Sequence, residues 1–395
     1  MQATIEGGVL VKAARAVKAV AGVGCYGNLR DLARIVTTPQ GIEVKCMGSD
    51  AWLRCSIECD AGAGRQAFID STRLLGAVKG RKGPQEFQVD ACGTMHIGAM
   101  EIEAAGPEAA LDFPVQPEYS ENVAHVYSFM GSQFKSMVAH HKCTSMKAGQ
   151  TTRLNLTCVN VEYSEVGKGA WFTTTDGYSL TRERFGAQIA GSEIKQALVP
   201  MEYLVKAAAA VGPRDIVNLD VLHSIGDDVT SIMRIRTVNS AGSEIEYFIR
   251  CVSEQFPDFQ RVIPAVDRGK VQFAIEDTSE FSRLVSEALQ CAPEDSRAVK
   301  LEVIPRSSEG SLVDRLHISS SSPAGKYSNS MEIIVPRYWD PQAAPVWFDG
   351  AYLKKVSGFT SGTLNVILSD PLQAARFDYD GDQVAVLMPV NMDPS

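Results

Sequence analysis

Two hydrophobic rhythms alternate along the chain. Runs such as Ile42-Glu43-Val44-Lys45-Cys46, Leu154-Asn155-Leu156-Thr157-Cys158 and Val384-Ala385-Val386-Leu387-Met388 put an apolar residue at every second position. That period sends the apolar side chains to one face and predicts antiparallel strands with one wet side. Between them lie windows of helical period at 8–22, 129–143 and 278–292. In the first, Leu10, Ala14, Val17 and Ala21 fall on one stripe, while Lys12, Arg15 and Lys18 fall largely on the other side.

A second class of helix recurs with its own signature, a strand-like run, then Leu and basic residues, then Gly. The copies are Ala67–Gly80, Ala197–Gly212 and Val346–Gly358. Their matching leucines, Leu74, Leu204 and Leu353, are 130 and 149 residues apart. A period of domain size predicts three copies of one fold rather than a solenoid of short units. The expected class is α+β, with two helices laid on antiparallel sheet in each of three domains, 1–122, 123–264 and 265–395. The joints fall at the Pro-bearing stretches 116–123 and 264–270.

Composition narrows the class. The 395 residues are 45% hydrophobic and 22% charged, as in a globular protein, and no apolar run reaches the ~20 residues that cross a bilayer. The opening Met1-Gln2-Ala3-Thr4-Ile5-Glu6 is not a basic-apolar leader, so a cytoplasmic protein is expected. The nine cysteines are odd in number and form no Cys-x-x-Cys; Cys55 and Cys59 share a strand face with no second pair to complete a metal site. They read as small buried hydrophobes in a reducing compartment.

The net charge of −9 argues against a polyanion partner until its placement is considered. Six helix windows, 8–22, 71–83, 129–143, 201–212, 278–292 and 350–361, hold thirteen basic residues and three acids, a net +10. Apart from Arg283, the basic set is Lys12, Arg15, Lys18, Arg73, Lys79, Arg81, Lys82, Lys135, Lys142, Lys206, Lys354 and Lys355. Any one of these reads as a solvated surface residue; the segregation of the set gives basic helices and acidic sheets, which attract a polyanion to one surface and repel it from the other. No helix-turn-helix, zinc finger or aromatic nucleic-acid-binding strand accompanies them, so phosphate contact independent of sequence is what remains.

Three motifs occur in order: Thr175-Asp176-Gly177-Tyr178-Ser179-Leu180, Phe256-Pro257-Asp258-Phe259-Gln260-Arg261-Val262-Ile263-Pro264 and Val386-Leu387-Met388-Pro389-Val390. Gly27-Asn28-Leu29, Gly48-Ser49-Asp50, Asp112-Phe113-Pro114 and Val199-Pro200 support them. With these motifs the chain, from about Val9 to Met392, resembles the beta sliding clamps of bacterial DNA polymerase III. The resemblance implies a head-to-tail homodimer whose six domains close a ring, helices inside and sheets outside. Such a ring encircles duplex DNA as a processivity factor in DNA replication. It implies docking of the DNA polymerase III alpha subunit, the clamp loader and other clamp-motif proteins through a short peptide bearing a Gln and apolar anchors. It implies no cofactor and no catalysis.

Carried over by position, the peptide pocket between domains 2 and 3 comprises Leu154, Thr175, Gly177, Tyr178, Ser179, Leu180, Pro257, Arg261, Val262, Tyr352, Leu372, Ala374, Val386, Leu387, Met388, Pro389, Val390 and Met392. Met388 and Met392 can repack around varied ligands. Plain strand core is the competing reading for Val386 and Met388, a surface ion pair for Arg261, and helix packing for Tyr352. The dimer seam is expected at Met100 and Ile102, alternating on a strand, against Gln290 and Cys291. The chain departs from the family pattern at Thr152 and Arg153, where an aromatic pair is usual, and at Asn391, where a basic residue is usual.

Two other readings are open to the residues. Asp176, Ser179 and His140 or His141 could be a hydrolase triad, although Ser179 lacks the Gly-x-Ser-x-Gly elbow and Asp176-Gly177 is first a turn signal. Asp378-Tyr379-Asp380-Gly381-Asp382 imitates part of a calcium loop without its closing Glu, and reads better as a hairpin turn. A scaffold that collects peptides without encircling DNA is the alternative function.

Overall fold

The computed structural model describes residues 3–21, 31–62, 64–106, 113, 124–164, 169–186, 188–189, 196–223, 231–239, 243–266, 269–306, 313–335, 340, 344–359, 362–379 and 382–392. Gly27-Asn28-Leu29, Asp112, Pro114, the joint at 116–123, Asp380 and Gly381 lie outside the described residues.

The first third runs β1 (Ala3–Glu6), α1 (Gly7–Val20), β2 (Leu32–Thr38), β3 (Gly41–Met47), β4 (Ala51–Glu58), β5 (Gln66–Asp70), α2 (Ser71–Val78), β6 (Pro84–Val89), β7 (Met95–Ile97) and β8 (Met100–Ile102). The middle runs β9 (Ala124–Met130), α3 (Gly131–Cys143), β10 (Cys158–Ser164), β11 (Gly169–Thr175), β12 (Ser179–Gly186), β13 (Gln188–Ile189), β14 (Gln196–Pro200), α4 (Met201–Ala210), β15 (Ile216–His223), β16 (Ser231–Val238) and β17 (Glu244–Arg250). The last runs β18 (Val271–Ile275), α5 (Thr278–Gln290), β19 (Ala298–Ile304), β20 (Arg315–Ser322), β21 (Gly325–Glu332), β22 (Val346–Asp349), α6 (Gly350–Ser357), β23 (Leu364–Leu368), β24 (Ala375–Asp378) and β25 (Gln383–Leu387).

Each helix follows on a strand, and each of those strands heads an antiparallel run. Five runs are β1-β6-β7-β8, β5-β2-β3-β4, β9-β15-β16-β17, β18-β23-β24-β25 and β22-β19-β20-β21. β14-β10 and β11-β12 are the remaining strands of the same plan. The residues divide into two compact units, 1–139 with 157–170 and 186–254, and 140–156 with 171–185 and 255–395. In the first unit β17 pairs with β4, which fuses two runs into a nine-stranded sheet. In the second, β12 pairs with β25. Both joints therefore use the last strand of a run.

The alternation read from sequence places the sheets' inner faces. Along β2 and β3, every second side chain is buried, as the period requires. On α1, Leu10, Ala13, Ala14, Ala16, Val17 and Val20 are buried, a wider stripe than the four-residue expectation, because the helix meets both α2 and α4. On α5, Phe281, Leu284, Val285 and Ala288 repeat at helical spacing and are wholly buried against Phe348, Leu353 and Phe377. Each large side chain so covered contributes about 1.5–3 kcal/mol. Asp277 caps that helix by accepting from the Glu280 amide at 2.8 Å.

Two sequence expectations shift. The window 71–83 stops being helix at Val78; Lys79 closes it by donating to the Leu75 carbonyl, and Gly80 and Gly83 at positive φ turn the chain into β6. Leu154–Thr157 is a 3-10 turn, and strand begins only at Cys158. The Leu156 amide donates to the Arg153 carbonyl, and Asn155 is held by the Gln255 carbonyl at 2.8 Å, so local bonds replace a ladder.

Candidate functional site

The basic residues fall into two groups. Arg15, Arg73, Lys79, Lys82, Lys135, Lys142 and Lys354 are exposed. Others are engaged: Lys12 with Asp215 at 3.1 Å, Lys18 with Asp31 at 3.3 Å, and Lys206 with Glu202 at 3.8 Å on the next turn. Arg81 donates to the Ala77 carbonyl and to Gln85. Lys355 donates to the Cys143 carbonyl and lies over the Tyr352 ring. Lys79, Arg81 and Lys82, expected on a helix, stand in the turn after α2. Arg283 is bound by Glu280 and Glu287 on its own helix face.

All eighteen residues of the peptide pocket lie in the second unit, and they divide by role. Thr175, Ser179, Leu180, Ala374, Val386 and Leu387 are buried. They are core first; of the two residues for which strand core was the competing reading, Val386 is buried and Met388 is exposed. Leu154, Tyr178, Val262, Leu372, Met388 and Met392 are exposed, from 37% at Met392 to 66% at Tyr178. These six are half of the twelve large apolar residues that stand exposed among those described. A lone exposed apolar residue needs no explanation, whereas a set drawn from five chain segments that sequence had already grouped does.

Backbone pairing brings the Tyr178, Leu372 and Met388 segments together. Ser179 faces Leu387 and Leu180 faces Val386 across β12–β25, and the Met388 amide donates to the Tyr178 carbonyl at 2.9 Å. Ala375 faces Leu387 on the other side, which carries Ala374 and Leu372 alongside. The Thr175–Ser179 turn is held from within. Asp176 Oδ1 accepts from the Tyr178 amide, the Ser179 amide and Ser179 Oγ at 2.7–3.0 Å. Gly177 takes φ +91°, with open space where a Cβ would stand, so a ligand backbone can approach there. Tyr352 is half-buried, and its hydroxyl bonds Asp176, with burial and that carboxylate raising its pKa. Helix packing and contact with the Thr175–Ser179 turn are thus compatible for Tyr352.

The Phe256–Val262 motif is fixed by its two phenylalanines. Phe256 and Phe259 are buried edge to face at 5.9 Å, and the Arg182 guanidinium sits over Phe259 at 5.0 Å and over Trp171 at 4.2 Å. That anchorage leaves Pro257, Arg261 and Val262 exposed. Arg261 pairs with Asp258 at 3.1 Å in full solvent, the ion-pair reading, and still projects from the same turn. Arg182 and Trp171 escaped the sequence reading; their only signal was proximity to the first motif. Val390 is tied by its amide to the Trp347 carbonyl at 2.7 Å, and Pro389 is partly covered.

The seam residues also divide. Met100 is exposed, but Ile102 faces Met95 across β7–β8 and is buried, so the pair does not form one apolar patch. Met100–Glu103, with Arg73, Gly76 and Ala77, line an open cleft of about 520 Å3. Gln290 is exposed and Cys291 partly covered, with the start of β21 beside the Cys291 sulfur.

The triad reading finds no support in the geometry. Ser179 Oγ bonds Asp176, while His141 bonds Thr174 and His140 approaches Glu183 and Gln383. Among the described residues no cluster of His, Cys, Asp or Glu could hold a metal, and no helix is long and apolar enough to cross a membrane.

No family model and no curated protein sequence matches the chain. Solved structures do, over almost its whole length. The DNA polymerase sliding clamp of Bacillus subtilis aligns at TM-score 0.78 and 18% identity, covering 99% of both chains. The beta subunit from DNA polymerase of Streptococcus pyogenes aligns at TM-score 0.78 and 14% identity, over 99% of this chain and 100% of that one. A sliding clamp (DNA polymerase III subunit beta) of Pseudomonas aeruginosa, bound to griselimycin, aligns at TM-score 0.76 and 19% identity, with the same coverage. The chain has the fold of the bacterial DNA polymerase III beta sliding clamps.

Proposed function

We propose that the chain is a sliding clamp: two copies close head to tail around duplex DNA and tether a polymerase and other partners through the apolar surface of the second unit. The observation that carries the reading is the repeated joint. β4–β17 and β12–β25 each pair the last strands of two runs. By the same rule the last strands left over are β8 and β21, and both are sheet edges. An unpaired edge is a template for another strand. Pairing β8 of one copy with β21 of the next continues the rule, and two identical joints close a ring. Gln290 and Cys291 then lie beside the seam through β21, and Met100 lies on it.

The domains proposed for this ring are 1–122, 123–264 and 265–395. The exposed lysines and arginines would line the hole and meet phosphates without reading bases. Affinity per phosphate can stay low because topology retains the DNA, and weak sequence-independent contacts let a ring slide. The exposed side chains Leu154, Tyr178, Val262, Leu372, Met388 and Met392 would take the apolar anchors of a partner peptide, with the unbranched Met388 and Met392 able to repack around different anchors. The Pseudomonas clamp's complex with griselimycin is consistent with ligand binding on this fold.

Retention on DNA tests the ring. Protein loaded by a clamp loader onto a closed circle stays bound through gel filtration and is lost after a single cut. Equal retention on circle and linear DNA would leave only a peptide-collecting scaffold.

A further inference from the structure

Three side chains meet at the β12–β25 joint in an arrangement that one proton can invert. Glu183 and Gln383 face each other directly across the strand pair. His140, in the last turn of α3, sends Nδ1 to within 3.0 Å of Gln383 Nε2 and 3.5 Å of Glu183 Oε2. A single ring nitrogen cannot serve both partners. To accept from the Gln383 amide it must be bare; to donate to the carboxylate it must carry a proton.

The surroundings make the conflict matter. Glu183 Oε2 is buried and has no hydrogen-bond partner, and the buried His141 Nε2, 3.8 Å from it, has none either. Leaving such atoms unmet costs stability. His141 does not relieve it by charging. Its Nδ1 is bonded to Thr174 Oγ1 at 2.9 Å, which is itself bonded to Thr144 Oγ1 at 2.7 Å. Burial, then the charge of His140, drive its pKa down to about 3. The remaining charged groups near the joint are occupied. Arg184 and Asp382 pair at 2.7 Å beside it, and Lys355 is engaged with the Cys143 carbonyl, while Lys142 points to solvent. From α6's end the neighbour is an apolar ring, Phe359 at 4.8 Å from the His140 ring.

We propose that His140, Glu183 and Gln383 form a proton-operated latch on the β12–β25 joint. In the basic form Nδ1 is bare and accepts from Gln383, and the carboxylate is unserved. In the acid form Nδ1–H donates to Glu183, and Gln383 turns its amide over to present oxygen. Acid thus fastens the end of α3 to the strand pair that also carries Ser179 and Leu387 at its other end. The proposal is independent of whether the protein encircles DNA.

A double-mutant cycle on the full chain tests it, using His140→Gln, Glu183→Gln and the double variant, with hydrogen exchange of the 180–185 and 383–387 amides as readout. All members of the cycle carry His141→Gln, because His141 feels the charge of His140 and lies 3.8 Å from Glu183, so its own titration would otherwise enter the coupling. Coupling between the two residues should be roughly tenfold in the opening equilibrium at pH 5.5, the range for a hydrogen bond to a charged group. At pH 8 it should fall below about twofold. Coupling of equal size at both pH values would overturn the latch. Should a variant fail to fold, nitrogen-15 spectra of the unmutated protein decide. His140 Nδ1 should be unprotonated at pH 8 and gain its proton together with a shift of the Gln383 side-chain amide. A protonated Nδ1 at pH 8, or a Gln383 amide indifferent to the titration, refutes it.

Discussion

Removing the Glu246 carboxylate should loosen the joint between β17 and β4. Glu246 faces Arg54 across that pair and is almost wholly buried. Arg54 Nε donates to it at 2.6 Å, and the Arg234 guanidinium lies 3.9 Å away while holding Asp220 at 2.7 Å. Four charged groups thus cross strands β15, β16, β17 and β4 in one row. In Glu246→Ala, Arg234 keeps Asp220, so only Arg54 loses its sole carboxylate in this row. A charge-assisted hydrogen bond contributes about 1.5–3 kcal/mol. Arg54 is two-fifths exposed and can turn to water, which discounts the loss to about 1.5 kcal/mol. For a unit of this size that is a fall of about 3–6 °C in the first melting transition. The assay is calorimetry beside Arg283→Ala, whose partners are exposed and whose melting temperature should stay within about 1 °C. A Glu246→Ala protein that melts with the unmutated one would refute the claim that this row fastens the joint.

Acid should weaken the second unit through His141. Its pKa is about 3 in the fold and about 6.5 unfolded. The unfolded chain therefore binds the extra proton, and stability is full above pH 6.5 and lost as pH falls towards 3. About 2 kcal/mol should be gone by pH 5, and His141→Gln should remove that slope in denaturant titrations. Met388→Ala should weaken a clamp-motif peptide about tenfold by fluorescence polarisation without moving the melting temperature, since Met388 is exposed. Gly131→Ala should cost several kcal/mol, or the soluble protein altogether, because its Cβ would stand 1.9 Å from the Gly212 carbonyl; circular dichroism of the purified variant checks it.

What sequence could reveal follows the range of the physics. Helical and strand periods are local, so α1, β3 and β25 were legible to within a few residues. The stop of α2 at Val78 was misplaced because continuing apolar and basic residues hide a decision made by Gly80 and Gly83. Leu154–Thr157 alternates like a strand, yet Asn155's bond to Gln255, a hundred residues away, settles it as a turn. The residues of the proposed peptide surface were grouped by motif, but which are exposed and which are buried depends on pairing. Val386 and Met388 sit two apart on one strand line, one buried and one open, because Leu387 is the last paired residue. The Glu246 row and the His140 latch had no sequence signal, since the first unites residues from four separate strands and the second from three separate segments.

The same separation explains how the charge pattern can coexist with a net acidic chain. Several acids in this fold sit inside pairings that fix geometry. Asp176 holds the turn under Tyr178, Asp70, Asp277 and Asp349 cap α2, α5 and α6, and Asp220 and Glu246 hold the arginine row. A capping carboxylate also faces the positive end of its helix, so its field is partly cancelled at short range. Exposed arginines and lysines such as Arg15, Arg73, Lys79, Lys82 and Lys135 have no such local partner among the described contacts, and their field extends until salt screens it over about 8 Å. Net charge therefore underestimates the attraction a phosphate feels at the helices. For the proposed ring, the quantity that would govern attraction to DNA is the charge left unpaired on the helices, so a net charge of −9 does not argue against a polyanion partner.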